Sequence, residues 1–351
     1  MTLHVLQLGP YPPPEGGISR NMLAIRDELG SRSHRCSILA TSKSSSVAEE
    51  PDVYHPRSAT ALISQVRKLK FDVLHLHIGG DVNKRVLALA AACTALARGR
   101  CVLTMHSGAY PLTDEARNAS PDSMRGRIFC RFSRLVAVND DLADVFKRYG
   151  VNIENISVIP PYALSAPDPR VSVRQELLDF YQRHSPVLLA VGGLEKDYDP
   201  MFQIASMKDI RSELPNAGLM IVGEGSMRNE VERAVAATGY ADSIYLAGNV
   251  DHAVTLHLIN DADALLRTTL FDGDAISVRE ALFLGTPVIA TDNGMRPEGV
   301  HTIEMGNSSS LVSIVKELVL TPKPFKTLNI EPDNSNICKI VDLYERLARS
   351  F

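Results

Sequence analysis

Residues 267–299 have the order strand, loop, helix, strand, and they place polar residues where the helix begins. Ala275, Ile276 and Ser277 fall in the first turn of this predicted helix, which also carries Glu280. The first turn of a helix has backbone N–H groups without acceptors and a partial positive charge, so it favours phosphate groups. The Ser277 hydroxyl can add a hydrogen bond or cap the helix. The segment therefore predicts a phosphate site, with an ordinary capped loop as the alternative.

Two glycines follow the first predicted strand, in the sequence GPYPPPEGGISR. Glycine lets the backbone approach a diphosphate closely, and the helix that follows points its N-terminus at the same place. Gly16 and Gly17 are therefore candidate binding residues, although glycine pairs also occur in plain turns.

Three histidines stand near the ends of predicted strands: His75 and His77 in HLHIGG, and His106 in TMHSG. Side chains at strand ends can reach a ligand, and a structural role is the alternative for each of them. A zinc site needs at least three protein ligands, and here they would be scattered over two strands. The sequence therefore favours no zinc site.

Asp272 and Asp274 flank a glycine at the end of another predicted strand. Two carboxylates beside a diphosphate suit Mg²⁺ or Mn²⁺, so this D-x-D sequence keeps a metal-dependent alternative open. The organisation of the chain in two halves, described next, favours an architecture without a metal.

The elements that must position these residues follow an α/β pattern. The apolar runs LHVLQL, RCSILA, FDVLHLH, CVLTMH, RLVAVN and ISVIPP alternate with helical segments in the first half. Near-continuous Val, Ile and Leu strands between helices predict a parallel sheet covered on both faces. The pattern restarts after residue 163 with VLLAVGG, GLMIVGEG, SIYLAGNV, DALLRTT and TPVIATD. The predicted fold class is therefore α/β, with two Rossmann-like, doubly wound domains that face each other across a cleft.

The predicted domain boundary lies in a small, proline-bearing segment, so residues 1–163 form the first domain and residues 164–334 the second. An amphipathic helix within residues 335–351 must dock its apolar face, and it can pack back onto the first domain. Ligands of open parallel sheets bind outside the carboxyl ends of the strands, where the candidate residues lie.

Composition and charge limit the classes of function. Residues 1–163 carry a formal charge of +5 and the rest −9, for a total of −4, so the basic half is suited to an anionic partner. The five cysteines lack zinc-ligand spacing, and the four that lie in apolar runs indicate buried thiols in a reducing compartment. The chain begins in a strand without a cleavage site, and its longest apolar run, residues 86–97, is too short for a bilayer. A cytoplasmic protein is expected, able to lie on the inner membrane face, with no nucleic-acid partner.

The sequence DGDAISVREALFLGTPVIATD resembles the carboxylate-x7-carboxylate signature of retaining family-four GT-B glycosyltransferases. Glu280 is the second carboxylate and is followed by ALFLGTPV in register, and Asp272 stands eight positions earlier, where the family usually has Glu. The resemblance implies that Glu280 binds the ribose hydroxyls of a nucleotide and that Asp272 meets hydroxyls of the donor sugar. It also implies that the backbone of Ala275 and Ile276 holds the distal phosphate.

Weaker matches to the same family follow in order along nearly the whole chain. Gly16 and Gly17 match its first-loop glycine pair, and His106 stands where a family histidine lies against the transferred sugar. Ser277, Gly193 and Val250, which ends SIYLAGNV, complete the candidates for binding the nucleotide sugar.

The chain departs from the family after the first strand of its second domain, where G-R-x-x-x-x-K is usual. Gly193 replaces the Arg in VGGLEKDYDP, and Lys196 is displaced from the expected spacing. These cations neutralise the leaving diphosphate, whose developing charge needs a preorganised counter-charge. Arg267 and Arg296, near the ends of two predicted strands, are the candidates to replace them, and Arg267 and Lys196 are counted as catalytic.

These features predict a retaining, metal-independent hexosyltransferase that uses a nucleotide diphosphate sugar, with a UDP-sugar favoured, and no cofactor. The expected acceptor is a sugar or lipid-linked hydroxyl, and the resemblance implies a role in cell-envelope glycan or glycolipid synthesis. A non-catalytic GT-B subunit, suggested by Gly193, and a nucleotide-sugar epimerase remain as alternatives. No G-x-G-x-x-G follows any predicted strand, which disfavours an NAD-dependent dehydrogenase.

Overall fold

The computed structural model describes residues 2–11, 16–42, 50–80, 82–97, 100–107, 110–270, 275–294, 296–320 and 331–349. The chain divides into two compact units. Unit 1 comprises Met1–Ala163 and Asp333–Phe351, and unit 2 comprises Leu164–Pro332.

Unit 1 alternates strands and helices along its first stretch of chain. Its strands are β1 (His4–Gly9), β2 (Arg35–Ala40), β3 (Val53–Tyr54), β4 (Val73–Ile78), β5 (Cys101–Met105), β6 (Arg134–Ala137) and β7 (Ile156–Val158). Its helices in this stretch are α1 (Gly17–Ser31), α2 (Ala59–Lys68), α3 (Lys84–Leu96), α4 (Asp114–Arg117), α5 (Met124–Phe129) and α6 (Asp140–Arg148).

The strands of unit 1 form a parallel sheet of seven described strands in the order β3-β2-β1-β4-β5-β6-β7. Every residue of β4 and β5 is buried, as expected for strands covered on both faces. Because side chains alternate across a strand, Leu6 and Leu8 join one core cluster and Val5 joins the other. The strand order reverses between β1 and β4, which places a ligand crevice at their carboxyl ends.

Unit 2 repeats the alternation. Its strands are β8 (Val187–Val191), β9 (Gly218–Val222), β10 (Ile244–Gly248), β11 (Ala264–Arg267), β12 (Val288–Thr291) and β13 (Val300–Ile303). Its helices are α7 (Gln175–Arg183), α8 (Pro200–Glu213), α9 (Arg228–Ala236), α10 (His252–Asp261), α11 (Ile276–Phe283) and α12 (Ser308–Leu320).

Within the described residues, the second sheet has six parallel strands in the order β10-β9-β8-β11-β12-β13. This order is the doubly wound arrangement, with its reversal between β8 and β11. The loops that follow these two strands are therefore the expected ligand site of unit 2.

The terminal helix α13 (Ser335–Arg349) belongs to unit 1 and packs against α1. Its buried apolar residues join the cluster that contains Met22 and Ile25 of α1, namely Ile337, Ile340, Val341, Leu343, Tyr344 and Leu347. An ion pair on the same contact joins Arg32 Nη1 to Asp342, at 2.6 Å. Apolar burial and an ion pair thus both fix the helix on unit 1.

The predicted fold class of two doubly wound α/β domains is confirmed. The sequence analysis missed two edge strands. β3 has only two residues, and in β13 only Ile303 is buried, so neither gives the apolar run by which the other strands were recognised.

Candidate functional site

The buried carboxylate of Glu280 is the centre of the candidate site in unit 2. Glu280 lies on α11, about one turn from its first residue, and only 3% of the residue is exposed. Its Oε1 lies 2.5 Å from Nε2 of His252, the first residue of α10. A buried carboxylate is costly unless a hydrogen-bond donor satisfies it, and His252 supplies that donor.

His252 is a site residue that the sequence analysis did not identify. It stands two positions after Val250, at the first position of α10, and packing of α10 against α11 brings it to Glu280. The available signal was its place just beyond a strand end of the parallel sheet. Val250 itself is partly buried against the core of unit 2.

The start of α11 has the expected geometry for an anion. Ala275 is the N-cap residue of the helix and has an extended conformation. Its methyl side chain cannot accept a capping hydrogen bond from the first turn. The N–H groups of Ile276 and Ser277 have no acceptor within the helix, and Ser277 is 8% exposed. Asp272 and Asp274 lie outside the described residues.

Arg267 ends β11 at the strand-order reversal, and its side chain crosses to the end of β8. Its Nη1 donates to the carbonyl of Val191 at 2.7 Å, and its guanidinium lies 4.8 Å from the ring centroid of Tyr198. A Cβ built on Gly192 would lie 3.0 Å from the same Nη1, so the guanidinium packs closely against this glycine. The guanidinium is thus fixed beside the loop in which the family arginine is missing.

The other basic candidates occupy different environments. Lys196 is exposed in the short 3₁₀ helix Lys196–Tyr198, and no ion pair joins it to another described residue. Arg296 donates from Nε to the carbonyl of Thr291 at 2.9 Å and from Nη2 to Thr269 Oγ1 at 3.0 Å. These contacts give Arg296 a structural role, since they hold the ends of β11 and β12 together.

The loops that follow β8, β9 and β10 stack on one another through their backbones. Gly192 donates to the carbonyl of Val222 at 3.0 Å, and Gly223 donates to that of Gly248 at 2.8 Å. Gly223 has a φ of +137°, and a Cβ there would lie 1.9 Å from the Gly192 oxygen. Glycine is therefore required at 223. At Gly193 the nearest described atom would be 3.5 Å from a Cβ, so a larger residue is tolerated.

The glycine pair of unit 1 opens α1. The hydroxyl of Ser19 accepts from the Gly16 N–H at 2.9 Å and donates to the Gly16 carbonyl at 2.8 Å. No described atom lies within 4 Å of a Cβ built on Gly16, so its outer side is open. The N–H groups of Gly17 and Ile18, in the first turn, have no acceptor within the helix.

His75, His77 and His106 of unit 1 form a cluster on β4 and just after β5. Nδ1 of His77 lies 3.1 Å from Nε2 of His106, and Nε2 of His77 lies 3.0 Å from Oε1 of Gln7. The ring centroids of His75 and His77 lie 3.9 Å apart. His75 also forms hydrogen bonds with Tyr344 on α13 and Thr104 on β5. The structure thus brings His106 together with two buried histidines.

Burial keeps this cluster neutral. Desolvation lowers the pKa of His75 and of His77 well below the ordinary value, and neighbouring histidines lower it further. Desolvation also lowers the pKa of His106 to about 3, although part of its ring reaches the surface. Neutral rings can both donate and accept hydrogen bonds.

The described residues contain no cluster of three or more His, Cys, Asp or Glu that could hold a metal ion. The three histidines contact one another by hydrogen bonding and ring packing rather than around a common centre. Among the described residues, no helix is both long and apolar enough to cross a membrane.

Each unit matches a family of known proteins. Residues 15–162, in unit 1, match the model for Glycosyltransferase Family 4, and residues 180–308, in unit 2, match the model for Glycosyl transferases group 1.

An uncharacterized glycosyltransferase of Methanocaldococcus jannaschii is 26% identical over 129 residues, 37% of this chain and 31% of that protein. The 2-deoxystreptamine N-acetyl-D-glucosaminyltransferase of Streptomyces fradiae is 30% identical over 105 residues, 29% of this chain and 25% of that protein. The chain thus matches about a third or less of the length of these curated relatives.

The fold of the chain is similar to that of a solved structure. The crystal structure of Anabaena HepE in complex with UDP-glucose aligns with a TM-score of 0.69 at 16% identity, covering 99% of both chains. At this identity the likeness shows the fold alone. The two family matches and the shared fold together support the assignment of this chain to the glycosyltransferases of the GT-B fold.

Proposed function

We propose that this protein is a retaining glycosyltransferase that transfers a sugar from a UDP-sugar to an acceptor hydroxyl. The buried carboxylate of Glu280, 2.5 Å from His252 and one turn from the start of α11, is the observation that carries this proposal. A nucleotide whose phosphate lies at the helix start can present its ribose hydroxyls to that carboxylate. The UDP-glucose complex of HepE supports uridine as the nucleoside of the donor.

The chemistry requires stabilisation of a leaving diphosphate. As the bond between the sugar and the phosphate breaks, negative charge develops on the phosphate oxygens. The N–H groups of Ile276 and Ser277 and the fixed guanidinium of Arg267 supply preorganised positive charge at the carboxyl edge of the sheet. No metal ion is needed in this proposal.

Retention is proposed to proceed without a protein nucleophile. The acceptor hydroxyl approaches the face of the sugar from which the phosphate departs, and a phosphate oxygen takes the hydroxyl proton. The protein contributes position and charge stabilisation.

Release of UDP separates this proposal from its two alternatives. The protein is incubated with a panel of nucleotide sugars, with and without an acceptor extract, and free nucleotide and product sugar are measured. Acceptor-dependent release of UDP supports the transferase. Binding without release favours a non-catalytic subunit, and conversion of the sugar within the intact nucleotide favours an epimerase.

A thermal-shift screen identifies the donor before an acceptor is known. A ligand at 100 times its dissociation constant stabilises the native state by about 2.7 kcal/mol, which shifts the melting temperature measurably. UDP-sugars are expected to stabilise the protein more than GDP-sugars do.

The proposed acceptor is a lipid-linked or phosphate-linked sugar in cell-envelope synthesis, met by unit 1 at a membrane surface. Residues 57–148 contain 15 Lys and Arg against 8 Asp and Glu. Arg67, Lys68 and Lys70, in and just after the last turn of α2, are all exposed. Basic side chains near an anionic leaflet contribute about 1 kcal/mol each.

A further inference from the structure

We propose that Gln7 and His77 are positioning residues that hold His106 in the tautomer protonated at Nε2. The Nδ1 lone pair of His106 is then left to accept a hydrogen bond from a sugar hydroxyl at the carboxyl edge of the first sheet. This inference rests on the proposed function for the ligand, and on the hydrogen-bond geometry for the tautomer.

The contacts of the buried Gln7 amide allow only one orientation of its oxygen and nitrogen. One end of this buried amide lies 2.9 Å from the carbonyl oxygen of Met22, which can only accept. The Gln7 atom at that end must therefore be the NH₂ group, and the other end, facing His77, must be the carbonyl oxygen Oε1. The amide orientation is thus set by the backbone of α1.

The tautomer of His77 follows from that of the amide. Gln7 Oε1 accepts, so the His77 Nε2 that lies 3.0 Å away must carry a proton and donate. Burial lowers the pKa of His77 well below its ordinary value, so the ring is neutral and holds only this one proton. Its Nδ1 is consequently an acceptor.

The tautomer of His106 follows in turn. His106 Nε2 lies 3.1 Å from the accepting His77 Nδ1, so it must donate, and the single proton of the neutral ring is placed on Nε2. Nδ1 is left with its lone pair and has no hydrogen-bond partner among the described residues. A hydroxyl is the neutral donor that such a lone pair selects.

Gly9 leaves room for this relay, the two hydrogen bonds that join Gln7 to His77 and His77 to His106. A Cβ on Gly9, the last residue of β1, would lie 3.0 Å from the Cβ of His77 and 2.6 Å from the sulfur of Met22. Glycine at this position leaves room for His77, which contacts Gln7 of β1 across the strand-order reversal and His106 beyond the neighbouring strand β5. The accepting nitrogen therefore stands at the carboxyl edge, where ligands of such sheets bind.

Long-range ¹H–¹⁵N NMR of the full chain with labelled histidine tests the tautomer directly. We expect wild-type His77 and His106 each to be protonated at Nε2 at pH 7. A His106 that carries its proton on Nδ1 would overturn the proposal, whether or not the protein transfers sugar. This measurement needs no variant, so a folding defect cannot obscure it.

Variants test whether Gln7 and His77 cause the preference. In His77→Phe and Gln7→Leu, His106 should become a mixture of tautomers. His75→Phe is the matched control, because it removes a neighbouring buried histidine that makes no hydrogen bond to His106. An unchanged His106 tautomer in both test variants would overturn the positioning role.

Ligand titration tests the sugar contact. UDP-glucose should shift the His106 Nδ1 resonance, and UDP alone should not. His77→Phe should raise the KM for the UDP-sugar by about threefold to tenfold, the range expected for one neutral hydrogen bond, and leave the affinity for UDP unchanged. Equal responses to UDP and UDP-glucose would overturn the sugar contact. If no nucleotide sugar reacts, the proposed function fails, while the tautomer is still decided by NMR.

Discussion

Nε2 of His252 lies 2.5 Å from Oε1 of Glu280, although 28 residues separate the two in the sequence. The contact satisfies one carboxylate oxygen, and no hydrogen bond joins the second to another described side chain, so we propose that the second meets the ligand. Two hydroxyls of a ribose ring are a fitting partner, because a carboxylate oxygen accepts and each hydroxyl donates.

Replacing Glu280 by Ala should weaken nucleotide binding and nearly abolish transfer without unfolding the chain. A hydrogen bond to a charged group contributes about 1.5–3 kcal/mol, so the dissociation constant for UDP should rise at least tenfold. Calorimetry with UDP and a thermal melt of the variant measure the two effects.

His252→Gln is the matched control for this experiment, because the glutamine amide can still donate to Glu280. It should bind UDP more tightly than His252→Ala does. Unchanged affinity in Glu280→Ala would remove this carboxylate from the site.

Arg267→Ala should lower turnover by about 10²–10³-fold, since it removes a preorganised positive charge from the leaving diphosphate. Arg267→Lys should recover only part, because lysine lacks the planar guanidinium. Steady-state kinetics with the preferred donor give both values, and a thermal melt controls for lost contacts to Val191 and Tyr198.

A second-site variant sharpens the same test. Gly193 has room for a side chain, so Gly193→Arg in the Arg267→Ala protein should restore part of the turnover by returning a guanidinium to the same loop. Lys196→Ala should have a small effect, because Lys196 is exposed. An inactive Lys196→Ala beside an active Arg267→Ala would assign the diphosphate charge to Lys196.

Transfer should persist in excess EDTA, because the start of α11 and the arginine side chain carry the phosphate charge in the proposed reaction. The measurement is the rate of UDP release before and after chelation. Loss of activity that Mn²⁺ restores would favour the metal-dependent alternative at Asp272 and Asp274.

Binding to anionic liposomes should decrease as salt rises. The Debye length falls from about 10 Å at 0.1 M to about 3 Å at 1 M, so electrostatic docking weakens over that range. Arg67→Gln/Lys68→Gln should reduce co-sedimentation. Arg183→Gln/Lys208→Gln in unit 2 removes the same charge, also from exposed positions, and should leave binding unchanged. No binding at low salt would contradict membrane docking.

Mild acid should destabilise the protein through the histidine cluster. In the unfolded chain histidine takes up a proton below about pH 6.5, whereas in the folded protein the pKa of His106 is about 3 and those of His75 and His77 are well lowered. The three neutral histidines therefore contribute their full share to the free energy of unfolding above pH 6.5. As the pH drops below that value, the free energy of unfolding falls by up to ~1.4 kcal/mol per pH unit for each histidine.

Denaturant titrations between pH 7 and 5 measure this slope, and His106→Asn should flatten it. A slope that His106→Asn leaves unchanged would mean that this histidine is not neutral in the folded state.

Local pattern was enough to predict most of the sheets. β2 was recognised from RCSILA with its observed bounds, and β8 from VLLAVGG, because buried parallel strands are short apolar runs between helices. The first turn of α11 was predicted from the order strand, loop, helix. These features depend on residues that are neighbours in the chain.

The contacts made through space could not be predicted in the same way. His252 reaches Glu280 only because α10 and α11 pack together, and the relay from Gln7 through His77 to His106 joins three separate strands or strand ends. The hydrogen bonds of Arg296 to the backbone carbonyls of Thr291 and Thr269 are likewise contacts that the sequence does not reveal.

Unit 2 is inserted, in sequence, between the two stretches of chain that build unit 1. During synthesis the ribosome therefore delivers all of unit 2 before the helix that covers α1 and bonds His75 through Tyr344. Until α13 is synthesised, the apolar residues of the first sheet and of α1 that it covers remain exposed to solvent. Expression of residues 1–163 alone should consequently give a fragment that aggregates or recruits chaperones, and supplying residues 331–351 in trans is the way to rescue it.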